Sequence, residues 1–354
     1  THKLGVVTLL DPCKGAIEFN LQGTLEAPSD VASFKGKDFW DSFQRIGSLT
    51  VSGGGVFYGK GQQHDKKIIV TKSTREYLNE IMAVIFGVLI YLTCKHEQNI
   101  RFDFATNSIV RDIQSKDSKF FHINSLQIQH VTITAPENSP NTDGIHIGRS
   151  SSITITNANI GTGDDCISIG DGTQDVTVNQ VTCGPGLGIS IGSLGRYQNE
   201  QLVSGIRVIG GTLSSTTNDV RIKTWPSSLP GIAFDIHFEN IIKNNVANPI
   251  LIDQGYCPNS QCSNKVIINI TNIYTHFDVK IKISNVSFKN IRATSSTKEA
   301  VKLICSNGVP CQQVVVADID LVYKGAGLSA TSTCVNVKPA ISGKQNPPAC
   351  TTKQ

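Results

Sequence analysis

The feature that most restricts this chain is a repeat of short strands at fixed spacing. Ile145, Ile167 and Ile189 follow one another at intervals of 22 residues. Around them, Asp143-Gly-Ile-His-Ile-Gly148 is succeeded by Asp165-Cys-Ile-Ser-Ile-Gly170, Gly188-Ile-Ser-Ile-Gly192 and Val220-Arg-Ile-Lys223. A second ladder runs beside the first through residues 153–160, 176–183 and 206–213, with related strands at 126–134, 236–242, 283–291 and 314–322. A period this short leaves no room for the helix of a βαβ unit. Two or three strands per repeat, separated by Gly, Asn, Asp and Ser turns, fit one coil of a parallel β-helix. A β-sandwich with irregular strands is the alternative, and the regular period disfavours it. The expected fold is therefore all-β, a single domain over 1–354, with about ten coils stacked at roughly 4.8 Å. Ile145, Ile147, Ile167, Ile169, Ile189, Ile191 and Ile222 should point inward as apolar stacks.

Composition agrees with that class. The chain has 31 Gly, one Met and only 17% charged residues, a mixture suited to strands and turns and not to disorder. Residues 62–98 break the pattern, opening polar and turning wholly apolar from Ile81 to Leu92. As a helix that run spans roughly 18 Å, short of a roughly 30 Å hydrocarbon core, so no membrane span is expected. A net charge of +4 without a Lys/Arg block excludes a nucleic-acid partner and suits a polyanionic substrate. Ten Cys point to an oxidising compartment, with the sequence neighbours Cys166/Cys183, Cys257/Cys262, Cys305/Cys311 and Cys334/Cys350 expected to be bonded. Zinc is the rival, but no pair has Cys-x-x-Cys spacing with a second pair or a His-x₃-His to match. The sequons Asn269-Ile-Thr271 and Asn285-Val-Ser287 agree with secretion. The chain opens at Thr1 and reads as processed, trimmed or incomplete at that end.

The chemistry sits on the repeat. Asp143, Asp164 and Asp165 lie one coil apart, and carboxylates on adjacent rungs raise the pKa of at least one member. Such a set can divide into a general acid and a base that activates water. Arg221 and Lys223 share one strand face, expected to be the outward one that also carries His146, Cys166 and Ser190. Carboxylates beside a cationic pair point to an acidic sugar. Calcium-binding turns or Asp-stabilised Gly loops are the alternatives.

Asn141-Thr-Asp-Gly144, Gly163-Asp-Asp165, Gly186-Leu-Gly188 and Arg221-Ile-Lys223 resemble, in order and spacing, the four motifs of the polygalacturonases. The longer strings 139–148 and 161–170 resemble the plant branch, most of all the pollen exopolygalacturonases. The resemblance covers Lys3–Gln62 and about 99–350, and it implies a right-handed parallel β-helix that hydrolyses α-1,4-galacturonosidic bonds of de-esterified homogalacturonan with inversion. It implies Asp164 as the acid and Asp143 and Asp165 as the carboxylates that activate water, at the roughly 6.5–9.5 Å separation that leaves room for that water. Arg221 and Lys223 match the substrate-carboxylate binders, Tyr256 a tyrosine lining the sugar site, and His146 is counted with them. No metal or organic cofactor is implied, and the partner is pectin or polygalacturonic acid, met by a secreted, cell-wall monomer. Three departures stand out. Leu187 replaces the motif histidine and cannot donate a hydrogen bond, which costs on the order of 10²–10⁴ in rate for one acid–base participant. The family's first coil and capping helix do not precede Thr1, leaving Cys13 to find Cys94 or no partner. The 62–98 segment replaces a family stretch. A catalytically impaired pectin-binding β-helix and a rhamnogalacturonan hydrolase are therefore the alternatives to an active polygalacturonase.

Overall fold

The isoleucines at 22-residue spacing do stack. In a computed structural model describing residues 1–10, 15–34, 37–62, 98–124, 127–257, 279–325 and 329–350, Ile100, Ile123, Ile145, Ile167, Ile189, Val220, Ile250 and Val301 are successive parallel partners. A second column, Ile147, Ile169, Ile191, Ile222, Ile252 and Leu303, runs beside it. Every one of these side chains is buried. Truncating a member of such a stack to Ala typically costs about 2–5 kcal/mol.

These columns belong to an eleven-stranded parallel sheet that runs from Val7–Leu10 through Asp165–Ile169, Gly188–Leu194 and Asn218–Thr224 to Thr331–Val335. The remaining strands form the other walls of a right-handed parallel β-helix. A 3-10 turn, Val31–Phe34, interrupts the strands. Long wall strands such as Gly231–Val246 and Ile281–Ser295 turn a corner without breaking their ladder. The corner is one residue in the left-handed region, repeated rung after rung: Asp112, His130, Asn157, Gln180, Gly210, Asn240, Asn290, Asp318 and Gly343. Asn and Asp tolerate this backbone because their short polar side chains can bond locally, and the ladder is also tied between rungs, with Asn290 donating to Asn240 Oδ1 at 2.7 Å.

Three of the expected disulfides are present: Cys166–Cys183, Cys305–Cys311 and Cys334–Cys350. The Cys257–Cys262 expectation lies outside the described residues, as do Cys13, Cys94, the Asn269 sequon and nearly all of the anomalous 62–98 segment. One expectation fails. Cys166 does not share the outward face with His146 and Ser190; it is fully buried and bonded to buried Cys183. The cause is a shift in the ladder, where Asp165 and Cys166 together oppose the single residue Gly188. This bulge reverses which side chain faces out.

Asp41 points into the solenoid. Asp41 occupies the inward column between Val7 and Ile100, and its Oδ2 has no hydrogen-bond partner. Burial pushes it up to about 8. A group raised on folding contributes stability that is present below its unfolded value and lost as pH rises toward the folded one. Urea midpoints should therefore fall between pH 5 and pH 7.5, at up to about 1.4 kcal/mol per pH unit for this one proton. Asp41→Asn should flatten that slope and be the more stable protein at pH 7.5; an unchanged slope would contradict the assignment.

Candidate active site

The bulge that buries Cys166 brings Asp165 to the outer face of the eleven-stranded sheet. There it meets the next two rungs, because Ser168, Ser190 and Arg221 are successive register partners. Ser190 Oγ donates to Asp165 Oδ1 at 2.6 Å, Arg221 donates to the same oxygen at 3.0 Å, and Lys223 Nζ donates to Oδ2 at 2.9 Å. Arg221 Nε also donates to Ser190 Oγ at 2.6 Å. Arg221 and Lys223 are 4% and 7% exposed, so these are desolvated, charge-assisted contacts and not surface pairs.

Asp143 and Asp164 complete the cluster. One oxygen from each of the three carboxyls lies within 4.8 Å of the others. That is tighter than the roughly 6.5–9.5 Å expected for a water-spanned pair. The reason is positional, since Asp164 and Asp165 are chain neighbours and Asp143 is one rung away, at roughly 4.8 Å. Burial pushes Asp143 well up, and the charges of Asp164 and Asp165 add to it. Asp164 is also raised by burial and by Asp165, but it is only partly buried. Burial acts on Asp165 in the same direction, yet Arg221, Lys223 and Ser190 outweigh it and hold that carboxyl below its ordinary value. The three adjacent acids are thus shifted in opposite directions, Asp165 toward the ionised form and Asp143 and Asp164 toward the protonated one. The three oxygens have a spacing that a divalent cation could use, but both oxygens of Asp165 already carry cationic partners.

The residues framing the cluster are fixed by short-range geometry. Gly186 has φ +153° and a Cβ there would sit 2.9 Å from the Asp164 carbonyl; Gly188 has φ +97° and a Cβ would sit 1.7 Å from the Asn218 carbonyl. Neither position admits a side chain. Between them, half-buried Leu187 donates its backbone N–H to the Asp164 carbonyl at 2.8 Å. The motif position is therefore registered one coil from Asp164, with the apolar Leu187 side chain where the resembled motif has imidazole.

Tyr256 rests beside both cations, its ring 5.5 Å from the Arg221 guanidinium carbon and 5.1 Å from Lys223 Nζ. The preceding turn holds it there. Asp253 Oδ1 accepts the Gly255 N–H, and the buried Gln254 amide bridges Ile281 O and Ser306 N. His146 lies on the other side of the cluster, its Nδ1 2.8 Å from Ser168 Oγ and its ring stacked on Phe121 at 4.4 Å. Burial pushes it down to about 4, so it is a neutral hydrogen-bonding group and not a cation for the substrate. Behind the strand Asn218–Thr224, buried Lys243 donates to Pro249 O and lies 3.7 Å from Asp219 Oδ2, anchoring the segment that carries Arg221.

The structure brings together Asp143, Asp164, Asp165, Arg221, Lys223 and Tyr256, with His146 and Leu187 at the margins. Sequence reasoning placed Ser190 on this face without a role, although its column position beside Arg221 signalled one. It missed Phe121, Trp225 and Arg196, which fall outside the motifs. An open cavity of 730 Å³ lies farther toward the N-terminus and is lined by Arg101, Asn124, Gly148, Arg149 and Asp171, not by the carboxyls.

Comparison with known proteins gives the same placement. The family model for glycosyl hydrolases family 28 matches residues 1–350. An exopolygalacturonase of Platanus acerifolia is 50% identical over 353 residues, covering 98% of this chain and 86% of the relative. A polygalacturonase of Gossypium hirsutum is 47% identical, covering 99% and 80%. Among solved structures, a polygalacturonase from Erwinia carotovora superimposes with TM-score 0.69 at 20% identity, over 96% of this chain and 86% of that one, a likeness of fold. Half identity maintained along nearly the whole chain, with the family model matched from end to end of the described coils, makes this protein a member of glycosyl hydrolases family 28.

Proposed function

We propose that this protein is a secreted glycoside hydrolase that cleaves α-1,4-galacturonosidic bonds of de-esterified homogalacturonan, inverting the anomeric centre and working from chain ends. The observation that carries the reading is the unequal surroundings of the three adjacent carboxyls, Asp165 alone being held by Ser190, Arg221 and Lys223. Asp164, at the partly exposed edge and favouring its proton, donates to the leaving glycosidic oxygen as the bond to C1 breaks. A water held by Asp143 and Asp165 attacks C1 and passes its proton to Asp165. A carboxylate offers about four lone-pair positions, and Ser190, Arg221 and Lys223 take three of those on Asp165. One remains to accept the water's proton, while the occupied oxygens make poor nucleophiles. Arg221 and Lys223, beside Tyr256, also supply the positive field that attracts a galacturonate carboxylate. Exo action is supported by the exopolygalacturonase identity of the Platanus acerifolia relative. Three disulfides and an exposed sequon at Asn285 support secretion.

Carboxyls this close would by spacing alone suit direct carboxylate attack and retention. Proton NMR of freshly formed product decides. The account expects the β-anomer to appear first from the α-linked polymer, and the α-anomer first would overturn the inverting course.

Leu187 favours one competing reading, a galacturonan-binding coil without turnover. Loss of the imidazole removes a group that orients the acid, so the wild-type rate should be low. In a reducing-sugar assay on polygalacturonate, Asp164→Asn should lower the rate by about 10²–10⁴ and Leu187→His should raise it. If Leu187→His leaves the rate unchanged while Asp164→Asn abolishes it, the role given to this position is wrong. If neither wild type nor Leu187→His cleaves the polymer and both bind it, the binding reading replaces the enzymatic one.

A further inference from the structure

Past Tyr256, the site continues outward as an alternation of rings and cations. The Tyr256 ring meets Trp225 edge-on at 6.3 Å. The Arg196 guanidinium carbon lies 4.6 Å from the Trp225 ring centroid and 5.3 Å from that of Tyr197. Arg196 is exposed, and among the described residues its guanidinium forms no ion pair with a carboxylate. The other arginines on this sheet face do have such pairs: Arg101 with Asp38 and Asp103, Arg149 with Asp171, and Arg221 with Asp165.

The loop that presents Arg196 is built rather than loose. Glu200 folds its carboxylate back onto the turn and accepts the backbone N–H groups of Gly195 at 2.5 Å, Arg196 at 2.9 Å and Tyr197 at 2.8 Å. Glu200 is thereby spent on the backbone and leaves the Arg196 head unneutralised. The loop is tied to the Trp225 segment from both sides, with Trp225 N donating to Leu194 O and Leu229 N to Gly195 O, each at 2.9 Å. A cation held over an indole, its charge uncompensated and its loop ordered in advance, is the arrangement that binds an anionic ligand at low entropic cost.

We infer that Arg196 and Trp225 form a further saccharide subsite, one unit beyond those served by Arg221 and Lys223, in which Trp225 packs against the sugar ring and Arg196 binds its carboxylate. The inference rests on the galacturonan reading above and deepens it. Arg196 selects for an unesterified acid at that unit and for substrates of three units or more.

Two measurements separate this subsite from the chemistry. In steady-state kinetics, Arg196→Ala should raise KM for trigalacturonate about tenfold with kcat within about twofold, and should leave digalacturonate unaffected. Arg196→Lys, which keeps the charge but not the planar fork, should recover part of the loss. The second readout needs no turnover. The chain has two tryptophans. Trp40 is 1% exposed in the core, so a change in indole emission on adding trigalacturonate to the Asp164→Asn variant reports Trp225. Its titration midpoint should move about tenfold on adding Arg196→Ala. Equal kinetics and equal titrations with and without Arg196, in a protein that still cleaves polygalacturonate, would overturn the subsite alone. An Arg196-dependent titration in a wild type that does not cleave would support the subsite and overturn the catalytic reading. Neither cleavage nor titration would overturn both.

Discussion

One extra residue in the strand Asp165–Ile169 organises the site. Without the bulge, strict alternation would turn Asp165 inward with Ile167 and Ile169 and leave Cys166 facing solvent. With it, Cys166 closes a buried disulfide to the following strand, and Asp165 faces Ser190, Arg221 and Lys223. The same local deformation thus pins the coil and places a carboxylate between two cations. The pair is worth little to folding on its own, since taking these charges out of water offsets much of their attraction. Its value is functional. It lowers the pKa of Asp165 against its burial, while burial and neighbouring carboxylates raise those of Asp143 and Asp164.

The coil architecture supplies the rest of the positioning cheaply. Parallel stacking at roughly 4.8 Å places any two residues with the same register on adjacent rungs at contact distance. Ser190 and Arg221 need no dedicated loop to meet, being register partners, and Asp165 joins them through the bulge. The apolar columns fix the register, because slipping a strand by one residue would expose its isoleucines. Stability and catalytic geometry are therefore set by the same spacing. Asp41 places a carboxyl in one of those inward columns, where burial favours its protonated form.

Much of this was legible in the sequence, and the exceptions have physical causes. The period of Ile145, Ile167 and Ile189 announces the coil because inward stacks demand identical chemistry on each rung. The acids and Arg221-Ile-Lys223 are legible because their order and spacing survive as motifs. The bulge is not, because Asp165-Cys-Ile-Ser-Ile-Gly170 reads as ordinary alternation and only the partner strand reveals the extra residue. That is why Cys166 was expected on the wrong face. The corner ladder is equally hidden, since its left-handed positions are filled by His130, Gln180 and Asn240 alike. Arg196 escapes notice because nothing in its own segment shows that Glu200 is occupied by backbone and Trp225 lies beneath it.

The account stands on the division of protons within the cluster, and neutron diffraction of crystals exchanged into deuterium oxide at mildly acidic pH observes that division directly. It should show deuterium on Asp164 and none on Asp165, whose oxygens instead accept from Ser190, Arg221 and Lys223. Deuterium on Asp165 with Asp164 ionised would contradict it, for the residue held between two cations would then be the acid and the roles drawn from its environment would be reversed.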